Sequence, residues 1–277
     1  MISVTEQKVI EDFGKEWSLF DQSKILEKLE SDFEAYFSLF PWDQINADSI
    51  GFDMGCGSGR WAWFVADRVK HLYCVDPSSQ ALSTARKNLS SKKNVTFKQA
   101  ACQNIPLENN SMDFGYCLGV LHHLQDPLSG LKVSVKKLKP GSPFLIYCYY
   151  AFDNRPLWFR YLWKVSDVVR RLISKLPFKY KVSITGLIAL FIYLPCARFS
   201  KFLDKLGCKV ENFPLYAYRD KDFYTMKTDS LDRFSTRIEK RFSRNELRLM
   251  MQAAGLENIS FSDALPYWCA LGYKKLS

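Results

Sequence analysis

Residues 50–59 read Ile-Gly-Phe-Asp-Met-Gly-Cys-Gly-Ser-Gly, and Tyr73-Cys74-Val75-Asp76 follows one helix length later. A short apolar strand running into three alternating glycines, then a second strand ending in a carboxylate, commits this part of the chain to a parallel α/β sheet. The carboxyl edge of such a sheet presents backbone to a nucleotide-like ligand. Gly55, Gly57 and Gly59 let the loop turn tightly and let a ligand approach the main chain. The following helix is expected to begin near Ser58–Arg60, so its unpaired N–H groups face the same crevice. Asp76 can accept from both hydroxyls of a ribose. The G-x-G-x-G spacing is tighter than the G-x-G-x-x-G of nicotinamide enzymes, which turns the reading away from a dehydrogenase.

The alternation of elements extends this reading along the chain. Residues 5–40 carry apolar positions at helical spacing (Val9, Phe13, Ile25, Leu26, Leu29, Phe33, Phe37 and Phe40) and are expected to be helical up to Pro41. Strands are expected at 50–54, 72–75, 95–98, 112–118 and 144–149, with helices at 60–69, from Ser78 or Ser79 to about Leu89, and at 128–138. The rhythm stops near Ala151 and resumes with a helix at 243–254 and strands at 256–261 and 268–274. The fold expected is therefore a doubly wound, mainly parallel seven-stranded sheet. Residues 1–45 are read as a helical cover, 46–150 with 241–277 as the ligand-binding core, and 151–240 as a largely helical insertion placed over the substrate.

Charge separates the insertion from the rest. Residues 151–248 hold 21 Lys/Arg against 10 Asp/Glu, whereas the remainder holds 18 against 19. A field of this sign attracts nucleic acid, anionic lipid or an acidic substrate alike. The insertion shows an apolar stripe of Leu157, Tyr161, Val165, Val168 and Leu172, a second apolar helix or helix pair over 184–206, and weak periodicity over 210–234. The most apolar stretch, Gly186 to Ala197, reads as too short for a bilayer and is interrupted by Pro195, so no membrane span is expected. Met1–Glu6 do not read as a signal peptide. The eight cysteines are scattered singly, which points away from a disulfide framework or a zinc site and toward a reducing cytoplasm.

Asp53-Met54-Gly55-Cys56-Gly57-Ser58-Gly59 and Val75-Asp76 resemble the first two signatures of class I S-adenosylmethionine-dependent methyltransferases. Ala101-Cys102-Gln103-Asn104-Ile105-Pro106 resembles the loop after their third strand. Ser111-Met112-Asp113-Phe114 through Gly119-Val120-Leu121-His122-His123-Leu124 resembles the fourth-strand signature of the small-molecule (type 11) subgroup that includes quinone-pathway enzymes. The likeness covers roughly residues 48–150, with a weaker echo from Arg241 to Leu256. It implies S-adenosylmethionine as cofactor. Asp53 and the glycines would lie around its methionyl portion, Asp76 with Pro77 at the ribose, Cys102 and Gln103 at the adenine edge, and Leu118 at the reaction crevice. Relatives often carry Asp where Ala101 stands, so another group would have to accept from the adenine amine. Trp17 is open to two readings, closure over the cofactor with Lys15 facing its carboxylate, or simple packing.

Displacement at a sulfonium needs positioning and, for a protonated nucleophile, a base. No metal is required, and no compact metal-ligand cluster is seen in the sequence. His122, His123, Tyr149 and Asp153 are the catalytic candidates, against a reading in which the histidines only order their loop. Arg155, Tyr218, Arg219 and Tyr224 are the substrate-binding candidates, against packing of the insertion. Three functions are open: methyl transfer to a small or lipid-like, possibly anionic, metabolite, most simply at oxygen; nucleic-acid modification, against which stands the absence of an Asn/Asp-Pro-Pro-Tyr/Phe motif after strand four; and a non-enzymatic module binding a membrane surface, a protein or a second copy of itself.

Overall fold

The computed structural model describes residues 3–21 and 29–276. In chain order the elements are α1 (Val4–Leu19), α2 (Glu30–Tyr36), β1 (Ile50–Met54), α3 (Arg60–Val65), β2 (His71–Asp76), α4 (Ser79–Asn88), β3 (Val95–Gln99), β4 (Phe114–Leu118), α5 (Pro127–Lys137) and β5 (Pro143–Tyr147). Then come α6 (Leu157–Ile173), α7 (Phe178–Ile188), α8 (Leu194–Lys205), α9 (Phe223–Ser235), α10 (Arg244–Ala253), β6 (Leu256–Phe261) and β7 (Cys269–Lys274). The chain divides into two compact units, 1–151 with 238–277, and 152–237.

In the first unit the strands run in the order β3-β2-β1-β4-β5-β7-β6. β1 to β5 pair in parallel, and β7 is antiparallel to both β5 and β6. The order reverses between β1 and β4, and the carboxyl ends of those strands flank the crevice where such sheets bind ligands. Period-two burial builds a core on each face. Phe52 and Met54 of β1 join Leu131, Val135, Phe144 and Ile146. Tyr116 and Phe114 of β4 join Phe33, Phe37, Trp61 and Leu145 on the opposite face.

Residues 5–40 were expected to be helical, and the described part forms two helices, α1 and α2; Ile25 and Leu26 lie outside the described residues. α1 begins with a capping box: the Ser3 hydroxyl accepts from the Glu6 N–H, and the Glu6 carboxylate accepts from the Ser3 N–H. It ends at Phe20, whose N–H donates to the Glu16 carbonyl. α4 is capped by the Ser78 hydroxyl.

The second unit is entirely helical among its described elements. Residues 223–235, most of them within the stretch 210–234 read as weakly periodic, form α9, capped by Asp222, whose carboxylate accepts from the Thr225 N–H at 2.8 Å. Its buried face mixes Met226, Leu231 and Phe234 with Thr228, Ser230 and Ser235, so hydropathy alone does not reveal it. The expectation that the apolar stretch is too short to cross a membrane is also corrected. Helix continues from Phe178 to Lys205, 28 residues that are long and apolar enough by length and composition. Pro195 does not break it because a π turn over Ala189–Tyr193 immediately precedes it, relieving the i→i−4 ladder where the proline lacks its N–H.

A Cβ built on Gly51 in the centre of the sheet would stand 2.2 Å from the buried Phe114 ring. Gly51→Ala should therefore reduce the free energy of unfolding by about 1–3 kcal/mol, read from urea titration. An unshifted midpoint would mean that the ring yields freely.

Candidate active site

The loop after β1 holds Gly55, Gly57 and Gly59 at φ of +80°, +53° and +79°, a run that side-chain-bearing residues rarely adopt. It is tied to the end of β2 by Asp76. One carboxylate oxygen accepts from the Gly57 N–H at 3.0 Å and the other from the Ser78 N–H at 2.8 Å. Each oxygen keeps a further lone pair for a ligand donor. Burial pushes the Asp76 carboxyl up to about 6, against the pull of those two N–H groups.

Asp53 lies on the neighbouring strand, 2% exposed, and its Oδ2 has no hydrogen-bond partner among the described residues. Burial is the main cause that pushes it up to about 8. The Tyr116 hydroxyl and Arg60 pull it down, while the Asp76 charge pushes it further up. A buried carboxylate oxygen without a donor is costly, and the cost is removed by a ligand that brings N–H groups or positive charge.

The floor and walls come from neighbouring segments. Gly119 follows β4 at φ +82°, and a Cβ there would meet nothing within 4 Å; this is open space beside Leu118. Val120 sits against Gly55, so the loops after β1 and β4 touch. Trp17 of α1 places its indole Nε1 2.9 Å from where a Gly57 Cβ would be, and the Arg60 guanidinium lies 5.3 Å from the Trp17 ring. Glu16, which sequence reasoning passed over, is 1% exposed on the same helix, whereas Lys15 is exposed. Cys102 is buried in a short turn after β3, close enough to Asp76 for that charge to help burial push its thiol up to about 12. Gln103 is half-buried beside it, and the Pro77 carbonyl accepts from Gln99. The structure thus brings Trp17, Asp53, the three glycines, Asp76, Pro77, Cys102, Gln103 and Leu118 to one edge of the sheet.

The two histidines after β4 hold opposite tautomers. His123 places Nδ1 2.8 Å from the Ile238 carbonyl, which can only accept, so Nδ1 carries the proton and the neutral ring has its lone pair on Nε2. His122 accepts the Tyr149 N–H at Nδ1, 3.3 Å away, so its proton lies on Nε2. Burial holds the His122 pKa well below the ordinary value, helped by His123 and Arg241. Tyr149 stacks on His122 at 3.9 Å, and Arg241 stands 5.0 Å from the Tyr149 ring centre. Arg241 also pairs with Glu239 at 2.8 Å. Sequence reasoning did not find Arg241, Glu239, Tyr116 or Arg60. For Arg241 and Glu239 the available signal was their place at the restart of the α/β pattern.

The remaining candidates lie in the second unit. Arg155 donates to the Glu211 carbonyl and to Asn212 Oδ1. Arg219 pairs with Asp204 at 3.0 Å, Tyr218 packs at a tilt against Tyr193 with ring centres 5.2 Å apart, and the Tyr224 carbonyl accepts from Thr228. Asp153 is exposed, and its carbonyl accepts from Arg160. Among the described residues no group of three His, Cys, Asp or Glu side chains is placed to hold a metal ion.

Comparison with known proteins agrees with the fold. The chain is 26% identical over 147 residues to the ubiquinone biosynthesis O-methyltransferase of Hahella chejuensis, covering 51% of this chain and 59% of that one. It is 29% identical over 97 residues to the tRNA U34 carboxymethyltransferase of Pseudoalteromonas atlantica, covering 34% and 30%. The matches thus span little over half of one curated relative and under a third of the other. A methyltransferase solved in complex with the Haloferax volcanii Trm112 activator shares the fold, with TM-score 0.55 and 14% identity over 95% of this chain and 97% of that one. Residues 52–146 match the family described as a methyltransferase domain, and this segment of the chain is a class I S-adenosylmethionine-dependent methyltransferase domain of type 11.

Proposed function

We propose that this chain transfers a methyl group from S-adenosylmethionine to an oxygen atom of a small or lipid-like metabolite in the cytoplasm. The residues present suit the cofactor. Asp53 offers a buried oxygen lacking a donor, matched to the methionyl ammonium. Asp76 retains lone pairs for ribose hydroxyls, and Trp17 and the space at Gly119 bound the crevice. When bound, the cofactor supplies an activated methyl group on a sulfonium.

The observation that carries the choice of oxygen is the His123 tautomer. The Ile238 carbonyl holds the imidazole so that Nε2 is the accepting nitrogen. An acceptor of this kind serves a nucleophile that must lose a proton, as a hydroxyl does. His122, with its proton on Nε2, accepts the Tyr149 N–H at Nδ1 and so orders the chain just beyond β5. The part given to residues 151–240 in binding the acceptor belongs to the same proposal, with Asp153, Arg155, Tyr218, Arg219 and Tyr224 as its polar groups. A nucleic-acid acceptor shares the charge of that region and is an outcome of the test below.

Enzyme incubated with methyl-labelled S-adenosylmethionine and either total lipid extract or total RNA should move label into the organic phase. Label in RNA alone would overturn the proposal. His123→Asn should lower the rate by roughly a hundred-fold or more and abolish the acidic limb of the pH profile, whereas an unchanged profile would remove the base from His123.

Asp76→Ala removes two charge-assisted bonds that hold the loop. It should weaken S-adenosylhomocysteine binding by roughly ten-fold or more, measured by calorimetry, with the circular dichroism spectrum kept.

Asp53 and Asp76 have folded values of about 8 and about 6 against an ordinary 3.8. The folded state therefore holds protons that the unfolded chain has lost. The contribution of these groups to stability is complete below pH 3.8 and is lost as pH rises, through about 6 for Asp76 and about 8 for Asp53. In the unliganded protein, Asp53→Asn should flatten the fall of melting temperature above the Asp76 midpoint. A fall as steep as in the parent would place its cause elsewhere.

A further inference from the structure

The second unit buries charged and hydroxyl groups beside an apolar cluster of Ile173, Tyr193, Ala197, Met226 and Phe234, and leaves many large apolar groups outside. Asp167, Arg170 and Lys181 are 6%, 4% and 1% exposed. Arg170 Nε donates to Asp167 at 2.7 Å, and its guanidinium donates to the Thr236 carbonyl at 2.7 Å. Lys181 donates to the Ser235 carbonyl at 3.0 Å. Thr185, Ser200 and Ser230 are buried too, with the Ser230 hydroxyl donating to the Thr185 carbonyl. On the outside of α6, Leu157, Val168, Tyr161, Leu172, Val165 and Trp158 are 48–79% exposed. At 3.6 residues per turn these six follow one another at about 20° steps, an unbroken apolar arc of about 100°. The next positions along one border are Lys164, Arg171 and Arg160.

We propose that this arc lies in the headgroup region of an anionic lipid bilayer, parallel to the membrane plane. An exposed apolar face bordered by cations is the pattern of an interfacial helix. Phe191, Ile192, Phe199 and Phe202, each more than half exposed on the 28-residue helix, extend the apolar exterior. That helix does not span in this arrangement. A span is apolar all round, whereas this one keeps Lys181, Thr185 and Ser200 on a face docked inside the unit. Charge selects the occupant: residues 152–237 hold 17 Lys/Arg against 8 Asp/Glu, a net of +9. Such a surface is drawn to anionic headgroups and repels a second copy of itself.

The test is flotation of the full chain with phosphatidylcholine vesicles, with and without about one-third phosphatidylglycerol. The parent protein should float with the anionic vesicles and roughly ten-fold less with the neutral ones, with salt weakening the binding. Val165→Asp with Val168→Asp should abolish flotation. Both side chains are exposed, so melting temperature and S-adenosylhomocysteine binding should be kept, and this readout does not depend on the identity of the methyl acceptor. Lys164→Glu with Lys175→Glu should remove the preference for anionic vesicles. Absence of flotation, equal binding to both vesicles, or flotation unaffected by the two aspartates would overturn the proposal. So would a dimer in sedimentation that those aspartates dissolve, since it would identify a second copy as the occupant.

Discussion

Everything at the sheet edge hangs on the Asp76 carboxylate. With one oxygen it holds the Gly57 N–H, and with the other the Ser78 N–H that opens α4. A loop with three alternating left-handed glycines has little side-chain packing besides the buried Cys56, and these two charge-assisted bonds, together with the Gly55 and Cys56 N–H bonds to the Val75 carbonyl, fix its course. The loop's position in turn decides where Val120 meets Gly55 and where Trp17 can rest. The same burial that makes the clamp strong keeps Asp76 and Asp53 in a low-dielectric neighbourhood where two negative charges are poorly tolerated. The site is therefore electrostatically unfinished without a ligand that brings donors, and the fold tolerates this because the adjoining strands are packed on both faces.

The β4 loop adds an asymmetry between adjacent residues. His122 and His123 stand 4.0 Å apart by ring centre, yet one ring accepts a backbone N–H and the other donates to a carbonyl. The donor partner comes from Tyr149 just beyond β5, and the acceptor partner from Ile238, where the chain re-enters the first unit. Segment 238–242 also bonds back through Lys240 N–H to the His122 carbonyl and Phe242 N–H to the Tyr149 carbonyl. The tautomers are thus set by tertiary contacts 27 and 115 residues away in sequence.

That distance explains which parts were legible. The glycine spacing, Asp53, Asp76 and the strand rhythm are local patterns, and each is found where expected because a parallel sheet allows few other placements. The Ser78 cap is likewise a local choice. Arg60, Tyr116, Arg241 and Glu239 gave no such signal: they matter only through neighbours on other elements. α9 was obscured because hydroxyl groups share its buried face. The apolar stretch around Pro195 was judged too short because a local rule treats proline as a helix stop, while the π turn before it lets the helix continue.

The amphipathic pattern of α6 shows a different limit. Leu157, Tyr161, Val165, Val168 and Leu172 declare a stripe, and a stripe on a water-soluble helix conventionally faces the core. Periodicity is indifferent to direction, however, and what decides it is where the opposite face can satisfy its groups. Asp167 and Arg170 neutralise one another, and the spare donors of Arg170 reach the Thr236 carbonyl just beyond α9. Turning the stripe inward would strand that ion pair from its carbonyl partner and put Val and Leu against the buried hydroxyls of α9. Buried polar groups can be satisfied only by such fitted bonds. An apolar exterior needs no fitted partner, only a medium in which exposure costs nothing.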